Sequence, residues 1–194
     1  GETYQQIGAA GGGIRSTMRA VRAASVDELV AAARLRLDAM RARGVTTVEV
    51  KSGYGLSVDD ELKMLHAAKA LHGPTMWVEP TLLAAHAVPP EATSASAWVS
   101  TIIDELLPRV VSDGVAGACD VFVEAGSFSV DDGRRLLRAA QDKGLKIKVH
   151  AEQLSWQGGA RLAAELRALS AGHLEFITAD DARALADAGV VAEV

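Results

Sequence analysis

Apolar and polar positions along the chain follow two alternating periods. Short runs rich in β-branched and apolar residues occupy positions 45–51, 76–83, 118–124, 146–151, 169–173 (weakly) and 190–194. Between them, apolar residues recur at helical spacing: Leu29, Ala33, Leu37 and Met40, then Leu62, Leu65, Ala68 and Leu71. Trp98, Ile102, Leu106 and Val110 form a third stripe, and Leu136, Leu137 and Ala140 a fourth. A period of two sends alternate side chains to opposite faces of a strand, whereas a period near 3.6 gathers them on one face of a helix. Met and Trp on such stripes read as core residues.

Start and stop signals frame the helices. Ser25-Val26-Asp27-Glu28 has capping-box form, and Ser57, Ser129 and Thr178 each stand three residues before an Asp. The hydroxyl takes an orphan backbone N–H, and the acid suits the positive helix end. Gly44, Gly73, Gly144 and Gly189 stand where left-handed residues would end helices. Pro108 is expected to bend or end the third helix early.

Strands separated by helices of this length imply right-handed crossovers and a parallel sheet. A doubly wound sheet and a (β/α)8 barrel both fit. The doubly wound form calls for a phosphate loop between strand and helix. The one glycine run, Gly11-Gly12-Gly13, lacks the G-x-G-x-x-G spacing and a strong strand before it, so it reads as a loop. Beyond the βα unit no internal repeat is evident.

Composition narrows the function classes. The 194 residues are 49% hydrophobic and 23% charged with a net charge of -5, as in one soluble globular domain. No basic stripe argues for nucleic acid; the basic residues from Arg15 to Arg22 are a short local group. No run of about 18 apolar residues argues for a membrane span. Cys119 is the single cysteine, so no internal disulfide forms, which fits a cytoplasmic protein. It stands before an apolar run and reads as a packing residue. The chain opens without an initiator Met or a signal-peptide pattern and stops inside a strand-like run, so both ends read as cuts.

In a parallel barrel the chemistry sits at the C-terminal ends of the strands. There the first strand delivers Lys51, Ser52 and Tyr54, and the second His86. The third ends at Glu124, the fourth in His150-Ala151-Glu152-Gln153, and the fifth at His173 with Glu175 beyond it. His66 and His72 lie on or just after a helix and read as structural. Histidines at three separate strand ends point instead to a metal such as zinc or iron, which lowers the pKa of bound water. A serine-hydrolase elbow is absent. A two-carboxylate glycosidase using Glu124 and Glu152 would leave the histidines unexplained.

Several motifs carry a family resemblance. Ala10-Gly11-Gly12-Gly13-Ile14 with Ser16-Thr17, Glu49-Val50-Lys51-Ser52-Gly53-Tyr54-Gly55-Leu56 and Ala85-His86-Ala87-Val88-Pro89-Pro90 resemble segments of the imidazolonepropionases. So do Lys148-Val149-His150-Ala151-Glu152-Gln153, Gly158-Gly159 and Ser170-Ala171-Gly172-His173-Leu174, in the same order along the chain. The resemblance implies a TIM-barrel amidohydrolase with one zinc or iron. It would open the ring of 4-imidazolone-5-propanoate to N-formimidoyl-L-glutamate in histidine degradation, using a metal-activated water.

By the same resemblance His150 is a metal ligand, and Tyr54, His86 and Gln153 contact the substrate. Gln153 and His173 act at the reacting centre: Gln153 contacts the substrate or the attacking water, and His173 polarises the scissile carbonyl or steadies the hydroxide. Glu124 stands where two-metal relatives place a bridging ligand, or it braces a neighbour. Glu152 is expected to point away if strand alternation continues that far, in a supporting role.

Residues 1–194 then form the central part of one barrel domain, roughly strands two to seven. A His-x-His pair and an Arg are expected upstream of Gly1, and a metal-binding Asp beyond Val194. The chain alone is expected to be inactive. The resemblance also suggests a homodimer with no partner beyond a small-molecule substrate. Two other readings stay open: another metal-dependent amidohydrolase, such as a cyclic amidase or deaminase, or a non-catalytic α/β domain that binds a small ligand.

Overall fold

A computed structural model of the chain describes residues 14–194; the Gly11-Gly12-Gly13 run lies outside them. Two helices, α1 (Ile14–Ala23) and α2 (Val26–Arg41), precede the first strand, β1 (Thr47–Lys51). Strand and helix then alternate through α3 (Val58–Ala70) and β2 (Trp77–Ala85). A composite helix follows: α4 (Ala95–Thr101), a π turn (Ile102–Leu106) and α5 (Leu107–Asp113). Next come β3 (Ala118–Val123), α6 (Val130–Asp142), β4 (Lys146–Ala151), α7 (Gly159–Glu165), β5 (Ser170–His173), α8 (Ala179–Ala188) and β6 (Val191–Glu193).

The six strands pair in sequence order, every pair parallel, and the sheet curls as part of a (β/α)8 barrel. Each strand lies within two residues of its sequence-predicted bounds. One sheet face meets the helices, where Leu82, Val121 and Val149 pack with Leu65, Ile102 and Leu137 in a single core. The register puts Glu49, Lys51, Thr81, Asp120, Lys148 and His150 together on the other, concave face.

Caps end the helices largely as the sequence predicts. Ser25 with Glu28 and Thr178 with Asp181 make both bonds of a capping box, and Ser57 and Ser129 accept from Asp60 and Asp132 N–H. Gly44, Gly144 and Gly189 have φ of +88°, +85° and +72°. Gly73 does not: α3 has already ended, and Gly73 bridges Met76 in the turn leading to β2. Gly114, with φ +58°, caps α5 and was not anticipated.

Two further expectations need correcting. Pro108 does not end its helix, which runs on to Asp113. The turn before it widens, and Leu107 N–H donates to the Ile102 carbonyl. A π turn accommodates the N–H that proline lacks and the bulk of its ring. Along α2 only Leu37 is buried, and Met40 stays 42% exposed. This helix lies over the sheet edge, where Leu37 meets Met76 and Val78 in a small separate cluster.

Candidate active site

The rim of polar residues begins where β1 ends. The loop over residues 52–56 lies so close to β2 that a Cβ on Gly53 would sit 2.6 Å from the Leu83 carbonyl oxygen. Gly53 also has φ +104°, a conformation only glycine adopts cheaply. Glu61, fully buried on α3, collects the loop's N–H groups: Gly53, Gly55 and Leu56 donate to its carboxylate at 2.7, 2.8 and 2.8 Å. Burial raises the Glu61 pKa against the pull of these donors. The clamped loop sets the Tyr54 ring edge-on to His86, with centroids 5.1 Å apart.

His86 reaches the rim through an irregularity in β2. Leu82 pairs with Cys119, but Ala85 pairs with Val121, so β2 carries one extra residue between them. A bulge of one residue exchanges the faces for everything after it. Without the bulge His86 would follow Leu82 and Ala84 into the helix layer; with it, His86 faces the concave side beside Phe122. Its buried Nδ1 has no hydrogen-bond partner among the described residues. Burial, then the neighbouring His150, lowers the His86 pKa, which keeps the ring neutral at pH 7.

His150 belongs to the inward set of β4, level with Phe122 on β3 and Gly172 on β5. His173 does not belong to the inward set by alternation. It pairs with Ala151, which faces the helices, and φ +75° at His173 turns the backbone so that its ring lines the cavity. Such a conformation costs a non-glycine residue about 1–3 kcal/mol. Ring centroids lie 5.2 Å apart between His150 and His173 and 6.3 Å apart between His86 and His150.

Tyr54, His86, His150, Gln153 and His173, together with Phe122, line one cavity of about 280 Å³. Tyr, His and Gln side chains can donate hydrogen bonds to a carbonyl oxygen, and Gln can also accept. A neighbouring cavity of about 200 Å³ shares His150 and His173 with it and is lined further by Asp120 and Glu193.

Glu124 braces the chain after β4. Leu154 N–H donates to it at 2.9 Å and Ala125 N–H at 2.8 Å, and the Ser155 hydroxyl donates to it as well. These donors outweigh burial and hold its pKa below the usual carboxylate range. Glu152 is fully buried and turned toward Gly158, whose N–H donates to it at 2.8 Å. Alternation is not the cause, because counted from His150 it would return Glu152 to the cavity side. A left-handed φ of +53° ends the strand and diverts it.

Asp120 went unremarked in the sequence. It is 1% exposed, with Lys51 Nζ at 2.9 Å and His150 Nδ1 at 3.0 Å. Burial alone would raise its pKa, but His150 and Lys51 hold it below the usual range. A lone acid inside the run Ala118-Cys119-Asp120-Val121-Phe122-Val123 was the available signal. His66 and His72 hold Asp113 and the Val78 carbonyl, as structural histidines do. Cys119 is fully buried, and burial pushes its thiol pKa up. Among the described residues no group of three or more His, Cys, Asp or Glu side chains is placed to hold a metal ion.

The strands and the polar rim at their C-terminal ends together define a partial (β/α)8 barrel. Arabidopsis ADAL, solved in complex with IMP, superposes with a TM-score of 0.62 at 14% identity, over 98% of this chain and 64% of that one. Arabidopsis N6-mAMP deaminase gives 0.61 at 13% identity, over 97% and 64%. No family model matches the chain.

At the level of sequence the chain resembles the imidazolonepropionases along nearly its whole length. The curated imidazolonepropionase of Sphingopyxis alaskensis is 55% identical over 194 residues, 99% of this chain and 48% of that protein. Those of Ectopseudomonas mendocina and Erwinia tasmaniensis are 53% and 52% identical with the same coverage. The chain thus spans about half the length of the curated relatives it matches.

Proposed function

We propose that the chain is the central part of the barrel of an imidazolonepropionase-type hydrolase. The whole protein would open the cyclic amide C–N bond of 4-imidazolone-5-propanoate to give N-formimidoyl-L-glutamate, in the cytoplasm and as a homodimer. The observation that carries this reading is the meeting of Tyr54, His86, Gln153, His150 and His173 around one cavity, each from a different point of the rim.

One divalent metal, zinc or iron, supplies Lewis acidity and an activated water when bound. In this chain His150 is its ligand, with the remaining ligands expected outside residues 1–194. Neutral His86 and Tyr54 hold the substrate by donating to its oxygen, and Phe122 supplies an apolar wall. Gln153 orients the substrate or the attacking water, and His173 polarises the scissile carbonyl. The left-handed backbone at His173 is the kind of strain found where a side chain must be aimed.

The test is turnover by the full-length protein. Ring opening of the imidazolone is expected, with hydantoins and aminated bases turned over poorly. Bound zinc or iron should be stoichiometric in the wild type and lost with His150→Ala. Turnover that survives both a chelator and His150→Ala would sink the metal reading. Ring opening by the 194-residue chain alone, with tightly held metal, would sink the assignment of ligands outside it.

A further inference from the structure

We propose that Asp120 is the positioning residue that sets the tautomer and direction of the His150 ring, and that Lys51 holds Asp120 for that task. The inference rests on the proposed function for its meaning, and on geometry for its content.

Asp120 is the one charged side chain of β3, and nothing in packing explains a carboxylate there. Its Oδ1 accepts from Val121 N–H at 2.8 Å, and its Oδ2 takes Lys51 Nζ at 2.9 Å. His150 Nδ1 lies between the two oxygens, 3.1 Å from one and 3.0 Å from the other. An ionised carboxylate only accepts, so Nδ1 must carry the hydrogen. The ring's one lone pair is then on Nε2, leaving that nitrogen as the donor toward a metal. A carboxylate behind a histidine in this way fixes ring orientation and raises ligand basicity.

Lys51 is held in its turn. Glu49 accepts from Lys51 Nζ at 2.9 Å and from the Thr81 hydroxyl, and lies 3.1 Å from Lys148 Nζ. The line Thr81–Glu49–Lys51–Asp120–His150 crosses four adjacent strands, so the direction of the imidazole is set by the sheet rather than by a loop.

Asp120→Asn separates positioning from mere structure. Lys51 would keep the amide oxygen, which turns the NH2 group toward His150. Nδ1 then meets an NH2 donor at 3.1 Å, which shifts the tautomer balance toward a proton on Nε2, where it blocks the donor. The experiment is 15N NMR of the histidines in the metal-free full-length protein, with titration by zinc alone. Expected are an Nδ1–H His150 in the wild type, an Nε2–H His150 in Asp120→Asn, and zinc affinity about 10–100-fold weaker in the variant.

A wild-type His150 protonated on Nε2 overturns the proposal, even if the variant does not fold. So does a folded variant with an unchanged tautomer and zinc affinity within about twofold of wild type. His150→Ala runs alongside. If it binds zinc as the wild type does, the metal reading of His150 fails, while the tautomer measurement still decides what Asp120 does.

Discussion

At the scale of single residues, buried groups around the rim hold the visible ones. Gly53→Ala would set a methyl 2.6 Å from a backbone oxygen and 3.0 Å from His86 Cβ, at φ +104°. The expected cost is about 1–3 kcal/mol or more, read from urea unfolding. Glu61→Gln removes a carboxylate that takes three backbone donors and leaves an amide whose NH2 faces one of them. It should cost about 1–3 kcal/mol by the same measurement and raise KM for the proposed substrate through Tyr54. The meeting of Tyr54, His86, His150, Gln153 and His173 around one cavity was legible because a parallel barrel brings its strand ends together. Asp120 and Glu61 were not. One is embedded in a run that reads as strand core. The other follows Asp59 and Asp60 and looks like part of a solvated acidic first turn.

Among elements, what was legible depends on how local its cause is. Caps and strand propensities are written within a few residues, so strand bounds and most helix ends could be read directly. The β2 bulge and the π turn before Pro108 depend on how neighbouring elements pack, and no short window records that. The caps also link fold to rim. Asp181 takes the Thr178 hydroxyl at 2.6 Å and, on the same oxygen, the Trp156 indole N–H at 2.8 Å. Thr178→Ala should therefore lose about 1 kcal/mol of stability, as cap removal does, and shift the fluorescence of Trp156. Ser25→Ala removes a comparable cap on α2, away from the rim, and should cost about the same with no spectral change.

Over the whole molecule the concave face is an ionic layer, and its charges set how stability follows pH. Asp120 and Glu49 have folded-state pKa values below their usual ones, despite burial: His150 and then Lys51 hold Asp120 down, and the Thr81 hydroxyl and then Lys51 hold Glu49 down. Groups of this kind stabilise the fold above their unfolded pKa, about 4, and lose that contribution as pH falls through the folded value. The Lys51 pKa is raised against burial by Asp120 and Glu49, so its share is present below about 10.4 and lost as pH climbs beyond the folded value. The contribution of these three groups to the urea midpoint should stay level between these limits. Lys51→Met removes one of the two partners that depress Asp120 and leaves His150, so the acid-side loss should begin at somewhat higher pH than in the wild type. An acid limb unmoved by that substitution would mean that the ion pair contributes nothing to folding. The sheet's outer strands make the last prediction. Among the described residues β1 and β6 each pair on one side only, and Val191 at the β6 edge is 57% exposed. An unpaired edge offers a row of N–H and C=O groups to any other strand, and a complete eight-stranded barrel has no such edge. The 194-residue chain by itself should therefore associate as its concentration rises, seen by light scattering, and Val191→Lys should suppress it. A chain that stays monomeric at high concentration would show that these edges are already protected.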